Sequence, residues 1–553
     1  MSFFDFGRIV AQLKSCVGKE VFCSLLTMIG AGLFTSIAVA GDLPLQFRIS
    51  LIDALENNES ILKFYDENDF KPVWLGTDME AAKRRVAFVQ ALERADVHAL
   101  PKHLYPASDL TTGVQQARNA ADLGALEAKF MIYYLRYAND IATGILRPNS
   151  VTDLIARKVK RIPLEVLFSG IASNRPEHFI FSLPPQTDEY KNLLKARQEM
   201  LELKAEGGFG ALIPDGKYQL GDTGTSVIKL RKRLAAKGYG GRSISTTYDV
   251  KLQDAVKAFQ RDNGLSVDGV AGPATLKAIN STVEDQLKSI TVALERERWF
   301  NSYSLKKEDE LGRQILVNLT DFTAKILDND VVTFETRSVI GAVEEDRRSP
   351  EFSDTMEYMV INPTWYVPRS ITVKEYLPEL QQDPSEHSYL TIFSPDGNVV
   401  PREFVDFTLY DENTFPYEMK QLPSESNALG LVKFMFPNRH NIYLHDTPHK
   451  SLFQKEERAF SHGCIRLHKP FDFAYALLAR QSDDPVSEFQ SILKAGNEYT
   501  LPLKVQIPVH IIYRTAVSSP NGRIGFRDDI YGRDALVYAA LLEQGVVMDN
   551  IQG

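Results

Sequence analysis

Between Asn427 and Leu467 lie His445, Ser461, His462, Gly463, Cys464 and Arg466, residue types that together suit covalent catalysis by a thiol. A thiol attacks only as thiolate, and a free cysteine, with a pKa of about 8.5, is mostly protonated at neutral pH. A nearby imidazole can take that proton, and a glycine beside the cysteine lets a carbonyl group approach the backbone closely. His445 follows the apolar run Asn441-Ile442-Tyr443-Leu444 and is soon followed by Pro448. Cys464 follows a polar loop and opens a second short apolar stretch, so two strand ends of one sheet could bring the pair together. Tyr443 precedes His445 by two residues, so on a strand both face the same side and Tyr443 would wall the thiol pocket. Arg466 would face as Cys464 does, where it could steady the loop or meet a substrate carboxylate.

Each residue also has a plainer reading. A buried cysteine is usually an inert small hydrophobe. His440, His445 and His449 with Asp446 suggest a metal site, but the spacing is neither HExxH nor a cysteine–histidine zinc pattern, and Pro448 interrupts any helix that would align them. No metal is expected. His462 could be a loop residue held by backbone hydrogen bonds. The joint pattern, rather than any single residue, carries the inference.

That pattern, a histidine, a variable stretch and then Ser461-His462-Gly463-Cys464-Ile465-Arg466, resembles the L,D-transpeptidase catalytic domain of the YkuD type. The resemblance implies that Cys464 is the acyl-forming nucleophile and His445 its base. It implies that His462 and Gly463 shape the loop around the oxyanion, and that no organic cofactor or metal is needed. The expected partners are peptidoglycan stem peptides, with carbapenem-type compounds as acylating inhibitors. Tyr443, Trp365, Ser461 and Arg466 are the expected substrate-binding residues. Two other readings stand beside this one: a non-catalytic wall-binding protein with an inert sheet domain, and a hydrolase on the same scaffold with water as acceptor.

The chain has 553 residues, 44% of them hydrophobic, which is enough for two to four domains. A net charge of −9 argues against a general nucleic-acid partner. Arg8, Lys14 and Lys19 precede an apolar run from Val21 to Ala40, which ends Ala38-Val39-Ala40 before Gly41-Asp42. This reads as a secretory signal peptide over 1–40, hence a periplasmic mature protein, with an uncleaved anchor as the alternative. Of three cysteines, Cys16 and Cys23 fall in that leader, so Cys464 alone would survive cleavage. A lone thiol in an exported chain is better explained by function than by a disulfide.

The elements that must position the thiol come late. Residues 41–206 read as a helical scaffold, with stripes at three- and four-residue steps over Met79–Arg94 and Leu126–Leu146. Its opening, Phe64-Tyr65 then Pro72-Val73-Trp74, supplies core or docking aromatics and resembles the large YcbB-like Gram-negative L,D-transpeptidases. Glycines 207, 208 and 210 mark a boundary. Residues 214–281 then resemble a three-helix peptidoglycan-binding domain with the turn Asp268-Gly269-Val270-Ala271-Gly272-Pro273. The stretch 282–304 reads as an amphipathic linker helix. From there the period changes to short β-type runs over 311–515, a mainly-β catalytic domain and so a sandwich or barrel-like unit. An insertion at about 365–423, beginning at Trp365, is long enough to be a functional cap. A C-terminal tail spans 516–553. The expected class is multidomain α+β.

Overall fold

The computed structural model describes residues 45–241, 243–300, 312–519 and 521–547. The expected signal peptide, with Cys16 and Cys23, lies outside the described residues, as do positions 301–304 of the expected linker helix. Among the described residues no helix is long and apolar enough to cross a membrane. The described chain forms two compact units, one of residues 45–145, 160–187 and 542–547, the other of 146–159 and 188–541.

The first unit is helical. Its two longest helices are α1 (Met79–Glu93) and α2 (Ala120–Thr143), whose first turns are capped by Asp78 and Asn119 accepting from the N–H groups of Ala81 and Asp122. Tyr65 and Trp74 prove to be core rather than docking aromatics. Glu127 of α2, fully buried, accepts from the Tyr65 hydroxyl at 2.7 Å and from the N–H groups of Val73 and Leu75 at 2.6 and 2.8 Å. Burial pushes this carboxyl up, and the converging donors offset part of that penalty while pinning the Pro-Val-Trp segment to α2.

The second unit starts with α3 (Asp188–Ala205), then three short helices, α4 (Thr225–Ala236), α5 (Val250–Asp262) and α6 (Pro273–Asn280). Val227, Leu230, Leu234, Val256, Phe259 and Ile279 form their common core. The Asp-Gly turn between α5 and α6 is held from inside. Buried Gln260 donates to Asp268 and Thr275 at 2.8 and 3.1 Å and accepts from the Gly269 N–H at 2.9 Å.

Helix α7 (Val283–Trp299) opens with a capping box between Thr282 and Asp285 and packs along α3. The amphipathic expectation fails in its last turns, where Glu295, Arg296, Glu297 and Arg298 are all buried. Each is satisfied by an ion pair. Arg296 meets Glu351 at 2.6 Å and Asp534 at 3.0 Å, Arg298 meets Glu295 at 2.8 Å, and Arg514 meets Glu297 at 2.7 Å.

Fourteen strands follow among the described residues: β1 (Arg313–Asn318), β2 (Thr323–Asp328), β3 (Val331–Gly341), β4 (Phe352–Ile361), β5 (Trp365–Tyr366), β6 (Thr391–Phe393), β7 (Glu418–Gln421), β8 (Val432–Met435), β9 (Leu444–His445), β10 (Ala459–Ser461), β11 (Ile465–Leu467), β12 (Tyr499–Ile512), β13 (Ala516–Ser518) and β14 (Ile524–Phe526). Period-2 patterning sends Ile315 and Val317 of β1, and Ala324 and Ile326 of β2, into the core. Asn329 and Asp330 both take positive φ between β2 and β3, as a tight two-residue hairpin requires. The main sheet runs β10-β3-β11-β9-β8-β4-β12-β1-β2, and β2 pairs with β3 as well, so the sheet closes on itself like a barrel. Helix α8 (Pro470–Leu478) covers part of it, with Phe473, Ala474 and Leu477 in the same core.

The insertion is a small body with its own order. Strands β5, β7 and β6 form a three-stranded sheet over a separate core of Trp365, Leu377, Leu380, Phe407, Phe415 and Met419. The C-terminal segment is folded too. It carries the hairpin β13–β14 and helix α9 (Arg533–Glu543), whose Arg533 and Asp534 are buried among the α7 ion pairs.

Candidate active site

The site is one face of the main sheet. β9 lies between β8 and β11, and their registers pair His445 with Lys433 on one side and with Arg466 on the other. Residues directly opposite across strands share a face. Leu444, Phe434 and Ile465, one step along, are fully buried on the core side. Lys433, His445, Arg466, Tyr443 and Cys464 therefore face the other way, as the alternation from Tyr443 to His445 predicts. Tyr443 touches both cores, that of the sheet and that of the insertion, so the insertion covers this face.

Cys464 is half-buried at the head of β11. Its Sγ donates to the Asn441 carbonyl at 3.5 Å. Burial raises the thiol to about 11, while the Tyr443 N–H and hydroxyl, Arg466 and Lys433 favour the thiolate. Tyr443 is itself held well above its usual value, first by burial and then by the sulfur, so its phenol stays protonated and can donate. Its ring meets the His445 ring edge-on at 5.7 Å between centroids.

His445 is 4% exposed, and burial, followed by the Arg466 charge, pushes it down to about 3. Backbone groups of Asp446 and Leu429 oppose that shift, yet Nδ1 completes no hydrogen bond. The resting pair is thus a neutral thiol and a neutral imidazole, and the thiol hydrogen bond goes to Asn441 rather than to His445. The chain around the base is held by Asp446, whose carboxylate accepts from the Leu431 N–H at 2.9 Å.

The loop Ser461–Cys464 is held by its own hydrogen bonds. The Ser461 hydroxyl donates to the Cys464 carbonyl at 2.5 Å and accepts from the Gly463 N–H at 3.2 Å. Ser461 is buried, so the structure ties it to the loop rather than bringing it to the substrate face, and the Gly463 N–H is already engaged. Gly463 has φ +106°, a conformation that side chains rarely adopt. Its carbonyl accepts from Ser349 at 2.6 Å, and the Ser349 oxygen accepts from the Gly341 N–H at 2.9 Å. A Cβ on Gly341 would sit 2.1 Å from the Arg347 carbonyl, so only glycine allows this close crossing.

His462 turns away from the thiol pocket towards the insertion. Its Nε2 lies 2.8 Å from Glu375, which also accepts from Arg347 at 3.0 Å. Glu375 sits in a π-helical turn over Thr372–Tyr376. Trp365 is in the insertion's own core, edge-on to Tyr376, and is not brought to the thiol. Among the described residues no group of three or more His, Cys, Asp and Glu could hold a metal ion. A cavity of about 540 Å³ lies elsewhere in this unit, between α3, Tyr239, Phe259 and the turn from Asn521 to Phe526.

Sequence reasoning missed Lys433, Asn441, Glu375 and Ser349. Lys433 carried a signal, since it alternates with Val432 and Phe434 and so had to face opposite to the core. Glu375 and Ser349 carried none, because their partners lie 87 and 114 residues away.

Residues 312–485 match the family model of the L,D-transpeptidase catalytic domain. The chain carries an L,D-transpeptidase catalytic domain. In front of this transpeptidase domain, residues 59–196 match a scaffold domain and residues 223–279 the model described as "Putative peptidoglycan binding domain". A Haemophilus influenzae protein named "Putative L,D-transpeptidase" is 31% identical over 255 residues, which cover 46% of this chain and 51% of that relative. The chain thus spans about half the length of that relative. Crystal structures of L,D-transpeptidases from Stackebrandtia nassauensis and Xylanimonas cellulosilytica are each 16% identical. The first covers 54% of this chain and 96% of its own with a TM-score of 0.22, the second 55% and 100% with a TM-score of 0.17.

Proposed function

We propose that this protein is an exported L,D-transpeptidase that crosslinks peptidoglycan stem peptides through a cysteine thioester. The observation that carries the reading is the shared face of Cys464, Tyr443 and His445 in a domain of that family. Cys464 attacks the carbonyl that joins an L-centre to a terminal D-residue. The neutral imidazole of His445 is free to take the thiol proton as the S–C bond forms, and burial makes it a base that holds the proton only briefly. The Tyr443 hydroxyl, protonated and beside the sulfur, is a donor suited to the oxyanion. Collapse of the tetrahedral intermediate breaks the C–N bond, and the departing D-alanine amine takes the proton back from His445. An amine on a neighbouring stem then attacks the thioester, and Cys464 leaves as thiol. Peptidoglycan would be held by the three-helix domain, and carbapenem-type compounds would acylate the same thiol.

Incubation of the mature protein with disaccharide-tetrapeptide, followed by mass spectrometry of the products, tests this. Crosslinked dimers with free D-alanine are expected. Free tripeptide stems without dimers would make the protein a hydrolase, and unchanged substrate a wall-binding protein.

A further inference from the structure

Two cations flank the thiol without an ion-pair partner among the described residues. Lys433 and Arg466 are both half-buried on the site face, on β8 and β11, either side of His445. Neither forms an ion pair or a side-chain hydrogen bond with a described residue, and Arg466 Nε is a buried donor without an acceptor. Removing a cation from water without a partner is unfavourable, and placing two on adjoining strands adds mutual repulsion. Burial lowers both below their usual values, Glu498 and Cys464 being the groups that oppose this for Lys433 and Cys464 for Arg466. The thiol is protonated at rest, so it does not balance them.

We propose that Lys433 and Arg466 form one carboxylate subsite for the donor stem peptide, with Lys433 as a specificity-determining residue. Two strand spacings separate their backbones, roughly 10 Å, a gap that two long side chains can close over a single carboxylate above His445. A planar guanidinium can grip both oxygens, and the ammonium adds a point charge from the other side. The inference deepens the proposed function and rests on it for the identity of the ligand. The carboxylate is either the α-carboxylate of the terminal D-residue or the carboxylate of the L-linked residue before it.

The subsite is read first without any peptide, by alkylating Cys464 with iodoacetate and with iodoacetamide and following the peptide that bears Cys464 by mass. The ratio of the two rates cancels any change in thiolate fraction, because both reagents need the thiolate. The wild-type ratio should exceed that of a simple thiol by about tenfold, fall to the simple-thiol value in Lys433→Met, and largely survive in Lys433→Arg. A wild-type ratio equal to that of a simple thiol, or one unchanged by Lys433→Met in a folded variant, overturns the proposal. Tetrapeptides carrying an amide at the terminal carboxyl or at the preceding one then identify the source. Whichever amide raises KM in the wild type but not in Lys433→Met marks the bound carboxylate, and equal KM for both amides and the parent overturns the proposal. Selective alkylation with no turnover of any peptide would keep the subsite and refute the transpeptidase reading. Turnover without carboxylate preference would do the reverse.

Discussion

Around the end of α7, buried Arg296, Arg298 and Arg533 and half-buried Arg514 each meet a carboxylate, whereas on the site face Lys433 and Arg466 meet none at ion-pair distance. The same contrast holds for two histidines. His510, near Arg157 and Arg514, has its Nδ1 2.8 Å from the Ser353 hydroxyl, while the Nδ1 of His445 is left without a partner. Burial pushes both rings down to about 3. Low pKa values alone therefore do not separate structure from chemistry in this molecule. Charge pairing does: around α7 each arginine has a carboxylate at ion-pair distance even where single nitrogens such as Arg533 Nε complete no hydrogen bond, whereas the two cations of the site face have none.

The largest expected effect breaks the satisfied region. Glu351→Ala removes a carboxylate from both Arg296 and Arg533 and should cost about 3–5 kcal/mol, because buried charges lose their partner. Urea unfolding followed by tryptophan fluorescence measures it, and a loss under about 1 kcal/mol would deny the network its structural role.

Acid comes next. His445 and His510 bind protons more readily unfolded than folded, so stability should fall as pH drops from about 6.5 towards 3, by up to about 5 kcal/mol for each ring. Melting temperatures across that range should show a shallower slope in His445→Gln and in His510→Gln. His510→Gln should also destabilise at pH 7 by loosening the Ser353 hydrogen bond, whereas His445→Gln should leave stability at pH 7 nearly unchanged and abolish transfer. Equal stability losses at pH 7 would erase the contrast between the rings.

Lys433→Met sharpens the comparison from the other side. An unpaired half-buried cation is replaced by an apolar chain, so stability should change by less than about 1 kcal/mol and towards stabilisation. A loss comparable to that of Glu351→Ala would show that Lys433 has a structural partner after all.

The smallest effect concerns the cap. Glu375→Gln weakens the contacts to His462 and Arg347 and should raise KM about threefold, with kcat nearly unchanged, as expected when a fastening rather than a reacting group is altered. Steady-state kinetics with the tetrapeptide decide it.

Much of this was legible in the sequence. The strand that carries His445, with Tyr443 just before its first residue, and the change from helices to short strands in the second half of the chain follow from local periodicity, and the structure has both. What local pattern could not supply are contacts between distant positions. The run Glu295-Arg296-Glu297-Arg298 looks like a solvated face because its partners Glu351, Arg514 and Asp534 are 55 to 238 residues away. His462 looked like part of the oxyanion site, since nothing near it in sequence foretells Glu375. Ser461 looked like a substrate ligand because a hydroxyl's two local hydrogen bonds become visible only when the loop is folded.

The most direct test of the account is the acyl-enzyme itself. The mature protein is mixed with disaccharide-tetrapeptide, quenched in acid within seconds, digested and weighed. The account predicts a mass on the peptide bearing Cys464 equal to the donor less D-alanine, absent in Cys464→Ser, whose hydroxyl the same base cannot ionise. An adduct on any other residue, or crosslinked product formed by Cys464→Ser at the wild-type rate, would contradict it.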